Sequence, residues 1–179
     1  YTLKAKKGDF IYVEIIDHPF KNKKPKAKVL EIIGSISDDA IEVKYTCYKN
    51  KISETFTDAA LAEVTIFDES FIAEKAKDRR DMKHLNFVTI DSESTNDVDD
   101  AICVEYNDNQ WKLYVAIADA TEFLIEGSNL DKEAKKRTSS MYFLGKNIPM
   151  LPTELSSDMC SLQEGKDRLA IICEMDFNE

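Results

Sequence analysis

Short apolar runs separated by turn residues dominate the first fifty positions of the chain. The segments 8–16, 27–33 and 41–48 carry β-branched and aromatic residues that partly alternate with polar ones, a pattern that predicts three strands. A lysine-rich loop with Pro25 follows the first strand, and Gly34 closes the second. Several short strands with a basic loop between the first two favour a small barrel of the OB or cold-shock type.

The pattern changes to helical spacing between residues 57 and 80, where apolar residues recur at intervals of three and four in two successive sets. Thr57 and Asp68 precede the two sets, and both are residue types that cap helix N-termini. The segment therefore predicts two short helices.

The remainder of the chain contains both the alternating pattern of strands and the three- or four-residue spacing of helices. The predicted elements are strands at 87–90, 101–106, 111–117 and 169–175, a turn at 107–109, a helix from Ser128 to about Tyr142, and extended chain at 147–152. The pattern predicts an α+β protein, with a small barrel at 1–56, a helical connector at 57–82 and a mixed α/β portion at 83–179. A returning strand is expected after the last one, so we expect this chain to be a piece of a larger protein.

Hydrophobic residues make up 43% of the 179 positions and charged residues of both signs 32%, which predicts a folded core rather than disorder. No apolar run approaches the ~20 residues of a membrane-spanning helix, and the start shows no signal-peptide pattern. The four cysteines form no CxxC pair or Cys/His cluster. They argue against a zinc site and predict reduced thiols in a cytoplasmic protein.

The formal net charge of −10 argues at first against a nucleic-acid partner, but the charge is unevenly distributed. Residues 1–80 carry 15 Lys and Arg against 14 Asp and Glu, whereas residues 81–179 carry 9 against 20. Local patches steer a polyanion, so the lysine-rich loop is a candidate nucleic-acid contact. The same lysines are equally compatible with a solvated turn that binds nothing.

Four aspartates lie within ten residues between two apolar runs: Asp91, Asp97, Asp99 and Asp100. Carboxylates this close repel one another and cannot all be buried without a counter-charge. Oxygen ligands without histidine suit a hard divalent ion such as Mg²⁺, or alternatively Mn²⁺, and phosphoryl chemistry. The cluster therefore predicts a metal site.

Other interpretations of an acidic cluster remain open at this point. A polar surface loop could use its carboxylates in turns and caps. A calcium-binding EF-hand loop starting at Asp97 would need glycine at its sixth position, where the chain has Ile102. A glycosidase would need only two of the four carboxylates.

The residues around the cluster resemble the ribonuclease II/R family of processive 3′-to-5′ exoribonucleases. The matching segments are Phe87–Asp91, Asp97–Ala101, Trp111–Asp119, Ile148–Pro152, Cys160–Leu162 and Asp167–Ala170. The resemblance is strong over 79–179, the start of the family's catalytic domain, and weaker over 8–64, which is similar to its second cold-shock domain. Ala116 stands where many members carry His, which favours the ribonuclease II branch.

Carried over residue by residue, the resemblance implies that the four aspartates hold magnesium, with Asp99 most closely tied to the chemistry. Tyr142 matches a tyrosine that contacts the 3′-terminal nucleotides. The implied reaction is hydrolysis of single-stranded RNA to nucleoside 5′-monophosphates. We also expect a monomer without an obligate protein partner. The lysines expected to contact the RNA backbone independently of sequence are Lys21, Lys23, Lys24 and Lys26.

The family's catalytic domain is much longer than the portion matched here, and its catalytic arginine and following S1 domain have no counterpart in these residues. We therefore expect residues 1–179 alone to be inactive, with an aspartate loop that is poorly ordered or metal-free. The competing hypothesis is an RNA-binding scaffold with a degenerate nuclease domain. Such a protein would be expected to lose aspartates, and none is lost here.

Overall fold

The computed structural model describes residues 3–17 and 24–177. The chain divides into two compact units, Tyr1–Thr55 and Phe56–Glu179. In the described part of the chain, no helix is long and apolar enough to cross a membrane.

The described residues of the first unit form two antiparallel strands and a helix, not the three strands that the pattern predicted. Strand β1 (Asp9–Asp17) pairs with β2 (Lys26–Ser35), and helix α1 spans Ile41–Lys49. The predicted strand at 41–48 is therefore wrong.

Contacts with the sheet explain why this segment is a helix. Tyr45 and Tyr48 lie one helical turn apart, so both can face the same neighbour. Their rings contact Phe10 and Tyr12 of β1, with ring centroids 5.7 and 5.3 Å apart. The Tyr48 hydroxyl also donates to Glu31 of β2 at 2.9 Å. Tertiary packing thus overrides the β-branched and aromatic composition of the segment.

The second unit begins with helices α2 (Asp58–Val64) and α3 (Glu69–Ala76). The predicted caps are confirmed, because the side chains of Thr57 and Asp68 accept hydrogen bonds from backbone N–H groups in the first turns. Both helices contribute to the hydrophobic core of this unit. The segment predicted as a connector therefore packs as part of the second unit. The core side chains are Ala60, Val64, Ile72, Phe123, Leu130, Ala134, Leu151, Leu155, Cys160 and Leu169.

A three-stranded antiparallel sheet follows, formed by β3 (Asp100–Asn107), β4 (Gln110–Ala118) and β7 (Ala170–Phe177). The strand order is β3-β4-β7. The predicted hairpin is confirmed: its two-residue loop, Asp108-Asn109, has positive φ at both positions, as a type I′ turn requires. The predicted strand at 87–90 is wrong, since only a single bridge joins Val88 to Ile102.

The two faces of this sheet differ in what covers them. One face buries Ala101, Cys103, Tyr114 and Ala116. The alternate positions form an apolar face on which many side chains remain about half exposed. Its exposed members include Val104, Tyr106, Trp111, Ile117, Ile171 and Phe177.

A partly buried ion pair joins the end of β4 to the segment after α3. The Asp119 side chain is 5% exposed and accepts from Arg79 Nη2 and from the Thr121 hydroxyl, both at 2.6 Å. Arg79 also contacts Glu122 at 3.0 Å. A short 3₁₀ helix, Ala120–Phe123, carries Thr121 and Glu122 to this pair.

Helix α4 spans Asn129–Arg137 and ends well before Tyr142, where the sequence predicted its end. The predicted cap is confirmed, because Ser128 Oγ accepts from the N–H of Asp131 at 3.1 Å. Thr138 then leaves helical conformation with φ 64° and ψ −31°. The residues after it form the small hairpin of β5 (Met141–Phe143) and β6 (Lys146–Ile148), and a π-helix spans Leu155–Met159.

We predict that Thr138→Gly raises the free energy of unfolding by about 1 kcal/mol. The N–H of Ser139 bonds to the carbonyl of Arg137 at 2.8 Å, so Thr138 is the centre of the rare, strained form of the γ-turn. A β-branched residue is disfavoured at positive φ, whereas glycine is not. Urea unfolding measures the change. Thr138→Ala is the matched control, because it removes the hydroxyl but keeps Cβ; an equal gain in both variants would contradict backbone strain as the cause.

Candidate metal and RNA site

The aspartate loop, residues 90–100, connects the single bridge at Val88 to the start of β3. It holds all four predicted ligands, with Asp91, Asp97 and Asp99 in irregular backbone and Asp100 as the first residue of the strand. Sheet pairing fixes the carboxyl end of the loop, because Ala118 N–H bonds to the Asp99 carbonyl at 2.8 Å.

The electrostatics of the loop match the repulsion that the sequence predicted. Partial burial of the Asp99 carboxyl group raises its pKa, and the negative charges of Asp97, Asp100 and Asp91 raise it further. The fold therefore brings the other three carboxylates close enough to oppose the ionisation of Asp99. A bound cation would relieve this repulsion.

The same carboxylates are not assembled as a finished coordination shell. Within residues 3–17 and 24–177, no group of three or more His, Cys, Asp or Glu side chains is placed to hold a metal ion. The donor chemistry nevertheless fits Mg²⁺ or Mn²⁺, because the cluster offers only carboxylate oxygens, which are hard ligands. The predicted ligand set of Asp91, Asp97, Asp99 and Asp100 stays a prediction.

Tyr142, predicted from the resemblance to contact RNA, lies beside the aspartate loop. It belongs to β5, its side chain is 64% exposed, and its hydroxyl donates to Asp97 Oδ2 at 3.1 Å. Desolvation of the hydroxyl and the bond to Asp97 raise the pKa of Tyr142, so the hydroxyl stays protonated at neutral pH. The structure thus brings together a predicted RNA contact and a predicted metal ligand, although the helix expected to carry Tyr142 is a strand.

The four predicted lysine contacts are only partly described. Lys21 and Lys23 lie outside the described residues. Lys24 and Lys26 are exposed, and Lys26 stands opposite Asp17 in the sheet of the first unit. Their contact with RNA stays a prediction.

Ser161 contacts the aspartate loop, and the sequence predicted no role for this residue. Its hydroxyl bonds to the backbone on both sides of Asp97, donating to the carbonyl of Asn96 at 2.9 Å and accepting from the N–H of Val98 at 3.0 Å. Ser161 belongs to the segment Cys160–Leu162 that carries part of the resemblance. Nothing in that segment links Ser161 to Val98 and Asn96, which precede it by 63 and 65 positions.

Comparison with known domain families gives two matches along the chain. A family described as RNB domain matches residues 79–179, and one described as Cold shock domain matches residues 1–57. The second match agrees with the cold-shock prediction for the first unit, and together they confirm the resemblance.

Two curated relatives with different names illustrate matches over nearly the whole chain. Ribonuclease R of Aquifex aeolicus is 34% identical over 177 residues, and Exoribonuclease 2 of Yersinia pseudotuberculosis is 36% identical over 174 residues. The matches cover 98% and 96% of this chain but only 25% and 26% of those proteins. The chain thus spans about a quarter of the length of these two curated relatives.

A solved structure confirms the predicted fold class. RNase R of Mycoplasma genitalium, determined in complex with double-stranded RNA, matches with a TM-score of 0.86 and 32% identity. The match covers 99% of this chain and 32% of that one. The α+β arrangement, a cold-shock unit followed by part of an RNB domain, is therefore confirmed.

Proposed function

Since the chain belongs to the RNB domain family, we propose that it supplies the metal-binding portion of a hydrolytic exoribonuclease. The proposed substrate is single-stranded RNA, degraded processively from its 3′ end to nucleoside 5′-monophosphates. One observation carries the proposal: all four aspartates of the loop are present inside the matched RNB segment, and their charges already interact.

Asp91, Asp97, Asp99 and Asp100 are the proposed ligands of Mg²⁺, with Mn²⁺ as a possible substitute. The ion would supply charge neutralisation at the phosphate and would lower the pKa of a bound water. Asp99 is the residue that we tie most closely to the reaction, because its carboxylate experiences the charges of the other three. The role of the chain's own residues is to concentrate negative charge at one place in the loop.

Tyr142 is proposed to contact the 3′-terminal nucleotides. Its ring is largely exposed while its hydroxyl is anchored to Asp97. Aromatic faces stack on any base, which suits an enzyme without sequence preference. Lys21, Lys23, Lys24 and Lys26 are proposed to contact RNA phosphates, which would make binding sensitive to salt.

We also propose a cytoplasmic monomer that needs no protein partner for activity. The support for the location is that the four cysteines are widely scattered along the sequence and form no CxxC pair. The scaffold hypothesis has no specific support in this chain, because every predicted ligand is an intact aspartate.

The test uses the full-length protein that carries this chain, with a linear single-stranded RNA and a circular RNA of the same sequence. We expect Mg²⁺-dependent release of nucleoside 5′-monophosphates from the linear RNA alone, with loss of activity on chelation and recovery on adding Mg²⁺. Cleavage of the circle would contradict an exonuclease. Tight binding of the linear RNA without degradation would favour the scaffold. Residues 1–179 alone are expected to be inactive, and processive degradation by them would overturn that expectation.

A further inference from the structure

Ser161 is a buried hydroxyl group that bonds to the aspartate loop. The residue is 1% exposed, so water does not compete for its bonds to Asn96 and Val98. The next residue adds a third bond, because Leu162 N–H donates to the Val98 carbonyl at 2.9 Å. Three backbone groups that flank Asp97 are thus satisfied by two neighbouring residues of a distant segment.

The segment that carries Ser161 is fixed by the hydrophobic core. The N–H of Cys160 bonds to the carbonyl of Leu155 at 2.8 Å, which is the five-residue bond of a π-helix. Leu155 is 0% exposed and Cys160 is buried beside it in the core of the second unit. A packed element therefore places the Ser161 hydroxyl, and short π-helical turns are frequent at functional sites.

Asp97 lies between the two backbone groups that Ser161 holds, and Asp99 follows Val98 directly. The carbonyl of Asp99 is in turn held by Ala118 N–H at 2.8 Å. The backbone of this short stretch is therefore fixed from both sides, by the π-helical segment and by the sheet. Without the Ser161 bonds, this stretch would keep the backbone bonds from Leu162 and Ala118 and the side-chain bond between Tyr142 and Asp97.

We propose that Ser161 is a positioning residue for the metal ligands. By fixing the backbone around Asp97, it presents the carboxylates of Asp97 and Asp99 to a divalent ion without touching that ion. The inference rests on the proposed function, because it concerns how the carboxylates receive a metal. Removing a group that orients metal ligands typically weakens metal affinity by about 10- to 100-fold.

The test compares Ser161→Ala with the wild type by NMR, in the full-length protein that carries this chain. In the metal-free chains, we expect the N–H of Val98 to exchange with solvent faster in the variant, because its hydrogen-bond acceptor is gone. In a titration with Mn²⁺ alone, amide signals of residues 91–100 should broaden in both chains. The variant should need about tenfold more Mn²⁺ for the same broadening.

Ser128→Ala is the matched control. It removes another hydroxyl that accepts from a backbone N–H, at the start of α4, and so also weakens the fold. Urea unfolding shows whether the two variants lose comparable stability. We expect the control to leave both Val98 exchange and the Mn²⁺ titration unchanged.

The outcomes separate the inference from the proposed function. Unchanged Val98 exchange in Ser161→Ala, or faster exchange with an unaltered Mn²⁺ titration, would overturn the positioning role. A wild-type chain whose loop amides never broaden with Mn²⁺ would count against the metal site itself. Val98 exchange would then still show whether Ser161 holds the loop.

Discussion

Replacing Asp99 by Asn is expected to lower RNA hydrolysis by the full-length protein on the order of 10³-fold or more while RNA binding persists. Stabilisation of transition-state charge at a metal site contributes several kcal/mol, and about 4 kcal/mol corresponds to about 10³-fold in rate. Asparagine keeps the shape of the side chain but removes the negative charge at the centre of the cluster. The rate of hydrolysis under single-turnover conditions checks the loss of activity, and the Kd for RNA, measured in parallel, checks that binding persists.

Loss of the fold would not explain such a result. The pKa of Asp99 is raised in the folded chain, so its contribution to stability is present at low pH and is lost as the pH rises through the folded pKa. Above that pKa the ionised carboxylate opposes folding, so a neutral Asn at this position should not destabilise the chain. Asp108→Asn is the matched control, because it removes one carboxylate at the hairpin turn. Equal loss of hydrolysis and RNA binding in Asp99→Asn would count against a role confined to the chemistry.

Replacing Asp119 by Ala is expected to lower the free energy of unfolding by about 3 kcal/mol. The substitution leaves the Thr121 hydroxyl without its acceptor and Arg79 with only Glu122 as a charged partner. Truncating one member of a buried ion pair is costly because the other charge stays partly desolvated. Glu74→Gln is the control: it breaks an ion pair with Lys77 in which both side chains are well exposed, and we expect it to change stability little.

The effect of Asp119→Ala should depend on pH in a defined direction. Burial raises the pKa of Asp119, but the bonds from Thr121 and Arg79 outweigh it, and the net pKa lies below its ordinary value. A lowered pKa contributes stability above the unfolded pKa of about 4 and loses it as the pH falls through the folded value. Urea unfolding should therefore show the full difference near neutral pH and a smaller one in strong acid. A difference that stays constant into acid would contradict the ion pair as its source.

Features set by neighbouring residues could be predicted from the sequence. The caps at Thr57 and Asp68 and the turn at Asp108-Asn109 each depend on a few adjacent positions, and all three are confirmed. The segment 41–48 could not be assigned in this way, because its apolar residues suit both strand and helix. Contacts of Tyr45 and Tyr48 with β1 stabilise the segment as a helix.

The candidate site likewise combines features that the local sequence predicts with features that depend on distant contacts. Residue type alone pointed to the aspartates and to a hard cation. The bonds of Ser161 link it to positions more than sixty residues away, so no local pattern could reveal them. The contact of Tyr142 with Asp97 likewise depends on the short hairpin that replaces the expected end of helix α4.

The apolar sheet face places the chain's single tryptophan where it can act as an intrinsic fluorescent probe. Trp111 is 51% exposed and lies against Tyr106, with ring centroids 4.5 Å apart. Tyr106 lies six positions after Asp100 in β3, which corresponds to about 20 Å along the strand. Its emission should therefore report unfolding and any molecule that covers the apolar face, while remaining largely insensitive to ions added at the aspartate loop.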